Sequence, residues 1–237
     1  MLRICCLKHV PFEGLGTIET WAHAHGHSIH TTEMFNGQLP PEPAEFDMLV
    51  IMGGPMGTRD TLEHPWLDDE RRCISTAIEH GRLVLGICLG AQLIAEVLGG
   101  TVSRNTHSEL GWWSVTGTAA SRGSHCFSAF PESFVPFHWH SDTFSIPEGC
   151  TLMASSEGCT HQAFEFDSGR VVGLQFHPEL TIDRIEEILR RTDCPTDDAS
   201  PWVDQADNFL RQRDLADQAA TDLAGFLNAF ATPMVPA

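Results

Sequence analysis

Between Val84 and Ile94 the chain reads Val84-Leu85-Gly86-Ile87-Cys88-Leu89-Gly90-Ala91-Gln92-Leu93-Ile94, and inside that span one periodicity gives way to another. Leu83, Val84, Leu85 and Ile87 form a short apolar run, which reads as a buried strand. Beyond Cys88, the apolar residues Leu93, Ile94, Val97 and Leu98 share one helical face, and Gly99-Gly100 stops the pattern. The joint is Gly86-x-Cys88-x-Gly90. Glycines on both sides let the backbone turn tightly, and a helix start offers free N–H groups and the positive end of its dipole to a thiolate. The same residues also fit an ordinary strand–helix turn that buries a cysteine, so the rest of the chain has to decide.

Upstream, the order of elements matches a parallel α/β sheet. A first strand is expected over Met1–His9, a helix over Thr17–His25 closed by Gly26, and a second strand over Ser28–Thr32. Phe46–Met52 is a third, strongly buried strand, followed at once by Gly53-Gly54-Pro55-Met56-Gly57. His64–Glu70 opens a helix that runs to about His80 and ends at Gly81, with Pro65 near its first turn and Asp68 and Asp69 at the positive end of its dipole. In sheets of this kind, ligands sit beyond the carboxyl ends of the strands. Gly53-Gly54 and Cys88 both fall at such ends, and glycine N–H groups brought bare to that edge suit an oxyanion hole. His23, His25, His27 and His30 straddle a helix end and a strand start, a spacing that does not converge on a metal ion.

From Thr101 to Phe176 the texture changes to short strands: Thr101–Ser103, Trp113–Thr118, Ser133–Trp139, Thr151–Ala154, His161–Phe166 and Val171–Phe176. Asp167-Ser168-Gly169 is a hairpin turn. Arg104–Trp112 reads as a polar loop able to wall a binding site. Val171–Phe176 ends in His177-Pro178-Glu179. An imidazole that takes a thiol proton and a carboxylate that orients the imidazole are the two partners a nucleophilic cysteine needs.

Composition narrows the partners. The chain has 237 residues and a formal net charge of −18, from 14 Lys+Arg against 32 Asp+Glu. Such a surface repels phosphate backbones and anionic lipid, which argues against nucleic acid and membrane partners. No stretch approaches the roughly 20 apolar residues of a membrane span, and the apolar start is too short for a signal peptide. The 8 cysteines include no C-x-x-C pair, as expected for free thiols in a reducing cytoplasm.

Three motifs together, Gly53-Gly54-Pro55-x-Gly57, Gly86-Ile87-Cys88-Leu89-Gly90-Ala91-Gln92 and Phe176-His177-Pro178-Glu179, resemble those of the triad-type class I glutamine amidotransferases. They stand in that family's order over roughly Leu2–Thr192. The resemblance implies a mostly parallel sheet flanked by helices, with an added antiparallel strand region. It also implies roles: Cys88 as nucleophile, His177 as general base and acid, and Glu179 as its orienter. Gly53, Gly54 and Leu89 resemble the oxyanion hole, Gln92 a glutamine-pocket residue, and His140-Ser141-Asp142 a loop near the glutamine in the GMP-synthase-like branch. Leu89 and Ala91 depart from the aromatic residue and histidine that several members carry there.

The implied reaction is hydrolysis of the γ-amide of glutamine, or of a γ-glutamyl compound, through a γ-glutamyl thioester. It calls for no metal or redox cofactor. Three readings stay open: a stand-alone hydrolase, a glutaminase subunit feeding a separate synthetase, and a non-catalytic regulatory protein on the same fold. The amidotransferase-like domain is expected over residues 1–192. Residues 193–237 are then a linker followed by a C-terminal helical extension, in which Asp214 or a neighbour divides two helices. That extension either packs on its own domain or forms a face for a second copy or another partner.

Overall fold

The strand Leu83–Ile87 (β4) lies near the middle of a nine-stranded sheet. The computed structural model describes residues 1–192 and 200–232. The middle of the expected linker, with Cys194, lies outside the described residues. Arg3–Lys8 (β1), Ser28–Glu33 (β2) and Met48–Ile51 (β3) run parallel with β4, as does Val171–Leu174 (β11) on its other side. β3, β4 and β11 are apolar and buried almost throughout, as parallel strands covered on both faces must be. The sheet continues antiparallel through Ala163–Phe166 (β10), Thr151–Ser155 (β9), Val115–Gly117 (β6) and Ser133–Phe134 (β7), giving the order β2-β1-β3-β4-β11-β10-β9-β6-β7. Asp167, Ser168 and Gly169 all take positive φ in the turn from β10 to β11.

Helices Thr17–Ala24 (α1), Trp66–Glu79 (α2), Leu89–Val97 (α3) and Ile182–Leu189 (α4) flank the sheet. Two differences from the sequence expectation matter. Arg104–Trp112 is not a loop: Val102–Trp112 forms one long strand (β5), paired antiparallel with Phe137–Phe144 (β8) in a second, two-stranded sheet. Its polar residues Ser103, Arg104, Asn105 and His107 hide a strand from a hydropathy pattern, because this half of the strand pair stands clear of the core. The expected single strand Ser133–Trp139 is likewise two, β7 and β8, in different sheets, separated at Val135-Pro136. Pro136 has no N–H to offer a ladder.

The C-terminal segment folds as Ala206–Phe209 (α5) and Arg213–Phe230 (α6), with the break at residues 210–212 and Asp214 in the first turn of α6. Leu223, Phe226, Leu227 and Phe230 of α6 join the core on one face of the sheet, and Trp21 Nε1 of α1 donates to Asn228 Oδ1 at 2.8 Å. Phe209 packs between Trp112 and Phe137. No helix among the described residues is long and apolar enough to cross a membrane.

Candidate active site

Cys88 sits between β4 and α3 with φ 51° and ψ −105°, a left-handed conformation that a residue with a Cβ seldom adopts. The flanking glycines make it attainable. A Cβ on Gly86 would overlap the Gly90 backbone, and one on Gly90 would overlap the Ile51 carbonyl of β3. The helix can therefore start hard against the sheet only with glycine at both places. The Cys88 N–H donates to Leu174 O at 2.8 Å, tying the turn to β11. Its Sγ lies 3.6 Å from Gln175 Nε2 and 3.9 Å from Trp139 O.

Because β11 runs parallel beside β4, its carboxyl end arrives at the same edge and delivers His177. The His177 N–H donates to Phe137 O at 2.7 Å, and its Nδ1 stands 2.9 Å from Glu179 Oε1, with both side chains buried. The Glu179 backbone is itself held, since the Thr17 N–H donates to its carbonyl at 3.0 Å and Gly16 lies against it. Burial disfavours charge on His177, but the Glu179 carboxylate and the Cys88 sulfur outweigh it and hold the imidazole well above its usual range.

Gly53 and Gly54 follow β3 onto this edge. A Cβ on Gly53 would come 3.0 Å from His177 Cε1 and 3.6 Å from Cys88 Cβ, and one on Gly54 would come 3.3 Å from Leu89 Cδ2. The Leu89 N–H opens α3 and so has no helical partner. A cavity of about 290 Å³ is lined by Cys88, His177, Gly54, Leu89 and Gln92 together with Glu13 and Arg104. His140 and Asp142, both on β8, line it too. Gln92 Nε2 donates to Gln175 Oε1 at 3.2 Å, and Arg104 stands 3.8 Å from Asp142. Of the residues singled out from the sequence, all nine thus gather at one sheet edge, although His140 and Asp142 come from a strand rather than a loop.

His140 has a second surrounding. Glu109, His138 and His140 are the one group of three metal-ligating side chains that converges among the described residues. His138 Nε2–H donates to Trp113 O at 3.3 Å, and His140 Nδ1–H donates to Asp142 O at 3.0 Å. The Glu109 carboxylate accepts from Ser156 Oγ at 2.7 Å and Gln162 Nε2 at 2.6 Å, and stands 2.9 Å from His140 Nε2. Burial opposes its charge, but the two imidazoles beside it hold it well below the usual carboxylate range. The set staples β5 to β8 under the cavity wall. The histidines near the N-terminus do different work: His25 and His27 pack against Trp21, and His27 Nδ1 accepts from Leu2 N.

Arg104, expected in a stretch able to wall a binding site, lines the cavity, whereas sequence reasoning missed Gln175, Glu13 and the buried pair His9–Glu70, which lies behind Gly53. Gln175 carried a signal: strand alternation puts it on the same face as His177, where a buried amide needs partners. His9 carried one as well, standing at the carboxyl end of β1 on the edge where ligands bind. The remaining thiols are of another kind. Burial pushes Cys5 and Cys73 up to about 12, and Cys126 and Cys150 up to about 11, away from thiolate chemistry at neutral pH.

The family model for class-I glutamine amidotransferase matches residues 16–192. The glutamine amidotransferase-like protein YfeJ of Salmonella typhimurium is 34% identical over 214 residues, which are 89% of this chain and 87% of that protein. A subunit of the glutamine-hydrolyzing GMP synthase of Methanocaldococcus jannaschii is 32% identical over 117 residues. That match spans 49% of this chain and 61% of the archaeal chain, less than two thirds of its length. Among solved structures, a glutamine amidotransferase from Thermotoga maritima superposes with a TM-score of 0.84 at 26% identity, covering 98% of this chain and 99% of that one. Likeness of sequence and of fold along most of its length establishes that the chain belongs to the class-I glutamine amidotransferase family.

Proposed function

We propose that the chain hydrolyses the γ-amide of glutamine, or of a small γ-glutamyl compound, with Cys88 as nucleophile. One observation carries this reading: a cysteine in a left-handed strand–helix turn shares a cavity with a buried His177–Glu179 pair 2.9 Å apart. The Cys88 thiolate attacks the amide carbon while the carbonyl oxygen takes the negative charge under the Gly54 and Leu89 N–H groups. His177, held charged by Glu179, gives its proton to the departing nitrogen as the C–N bond breaks, leaving a γ-glutamyl thioester. His177 then takes a proton from water, the hydroxide adds to the thioester carbon, and the C–S bond breaks to release glutamate and restore the thiolate. Arg104 suits an α-carboxylate and Asp142 an α-ammonium, which together would seat an amino acid with its side chain toward Cys88.

A γ-glutamyl chloroketone tests this. It is expected to add once, at Cys88, and Cys88→Ser is expected to lose hydrolysis by at least about 1000-fold. Labelling at another cysteine, or undiminished turnover in Cys88→Ser, would sink the proposal. A second reading, release of ammonia to a separate synthetase, is favoured by the likeness to a GMP synthase subunit. Copurification with a synthetase that raises glutamine turnover would select it, whereas good turnover of γ-glutamyl peptides by the chain alone would select the stand-alone hydrolase.

A further inference from the structure

Behind the Gly53-Gly54 loop lies a buried His–Glu pair that the reaction above does not use. His9 Nδ1 is 2.8 Å from Gly53 O, and His9 Nε2 is 2.8 Å from Glu70 Oε1 of α2. Neither side chain touches solvent, and the imidazole stacks on Trp66 with ring centroids 5.3 Å apart and planes 3° from parallel. Both partners, a carbonyl and a carboxylate, are acceptors. With Glu70 ionised, the imidazole satisfies both by carrying a proton on each nitrogen, an imidazolium facing a carboxylate. Burial works against that charge, but Glu70, the Gly53 carbonyl and the more distant Glu13 outweigh it.

The Gly53–Gly54 peptide is trans, so its C=O and N–H point in opposite directions. With the carbonyl fixed on His9, the Gly54 N–H is turned away from His9, and no acceptor among the described residues takes it. Two glycines in succession supply no side chain of their own to hold that orientation. It has to be imposed from behind.

We propose that His9 and Glu70 are positioning residues for the oxyanion hole, fixing the Gly53–Gly54 peptide so that the Gly54 N–H faces the oxygen on which charge develops. This rests on the reading of Cys88 as an amide-cleaving nucleophile. The imidazolium also polarises the peptide it binds and makes the Gly54 N–H a stronger donor. Loss of one such donor costs roughly 100- to 1000-fold in rate, which bounds the effect.

The test uses the near-isosteric variants Glu70→Gln and His9→Gln in the full chain, with glutamine as substrate. Glu70→Gln leaves a neutral imidazole still able to donate to Gly53 and is expected to lose about 10-fold in kcat, whereas His9→Gln is expected to lose about 100-fold. KM should stay within about twofold, since binding before the reaction does not use the hole. Glutamate γ-semialdehyde, whose thiohemiacetal oxygen enters the hole, should weaken by the same factors as kcat. Alkylation of Cys88 by iodoacetamide forms no oxyanion and should not change. Unchanged kcat and aldehyde affinity in both variants would overturn the proposal, as would alkylation falling in step with kcat. Should a variant fail to fold, nitrogen NMR of the parent decides: a proton on His9 Nδ1, the nitrogen facing Gly53 O, supports the positioning role, and an Nδ1 without a proton overturns it. An active parent labelled at Cys88 but indifferent to these changes refutes the positioning role alone; a parent not labelled there refutes the nucleophile and this inference with it.

Discussion

At the scale of single residues, the sulfur of Cys88 is set by its neighbours as much as by its own turn. Gln175 Nε2 approaches it at 3.6 Å, and Gln175 in turn accepts from Gln92 at 3.2 Å, so one amide links the nucleophile to the pocket wall. A donor aimed at the thiolate favours the charged form. Gln175 is completely buried, so replacing it also strips Gln92 of its acceptor. Gln175→Leu is therefore expected to slow iodoacetamide alkylation of Cys88 at pH 7 by roughly 2- to 10-fold, the worth of one net hydrogen bond. KM for glutamine should rise as Gln92 loosens. Alkylation rates and KM equal to those of the parent would show that the contact is incidental. Gln175 was legible only in part: a glutamine before Phe176-His177 is visible in the sequence, but nothing there says that its amide reaches back to Cys88.

At the scale of elements, the strand β4, the turn and the helix α3 were readable because each glycine has a steric reason. The same holds for β3 with its glycine loop and for β11 with His177, where a buried apolar run ends abruptly in polar chemistry. The antiparallel pair β5–β8 was not readable in this way. Its exposed half, from Ser103 to His107, has no apolar alternation, and what pins its other half is the buried Glu109, His138 and His140 set, which local patterning cannot see. The His9–Glu70 pair was hidden for a related reason, since its members lie just beyond β1 and on α2 and meet only when the helix packs. The glycine argument yields a direct prediction. Gly90→Ala drives a methyl into the Ile51 carbonyl of β3, a backbone atom that cannot step aside. The variant is expected to lose at least about 1–3 kcal/mol of stability in urea unfolding and, with the helix start displaced from Cys88, most of its turnover. A fully stable and active Gly90→Ala would mean that α3 does not bear on the sheet as described.

At the scale of the whole molecule, the C-terminal helix closes the core on one face of the sheet. Phe226 of α6 stacks on Phe130 at 5.1 Å and meets Phe127 edge-on at 5.5 Å, with no exposed surface. Phe226→Ala is expected to cost about 3–5 kcal/mol, read as a lower urea midpoint, whereas a helix serving only as a partner face would show little change in the isolated chain. Protonation gives the second global prediction. His9 and His177 are each held above the ordinary histidine range by a buried glutamate, Glu70 in one case and Glu179 in the other. A group whose folded pKa is raised binds its proton more tightly in the folded state than in the unfolded one. Its contribution to stability is therefore complete below the unfolded value, about 6.5, and fades as the pH climbs through the folded value. Unfolding free energy should thus decline from pH 6 toward pH 9. Above about pH 8.5 the buried thiols of Cys5, Cys73, Cys126 and Cys150, whose folded values are also raised, add to the decline, so the histidine share is read between pH 6 and 8. Urea titrations at several pH values, repeated on His9→Gln and His177→Asn, separate the two contributions: each variant should flatten part of the decline. A slope left intact in both would mean that neither imidazole carries its proton more tightly in the folded protein.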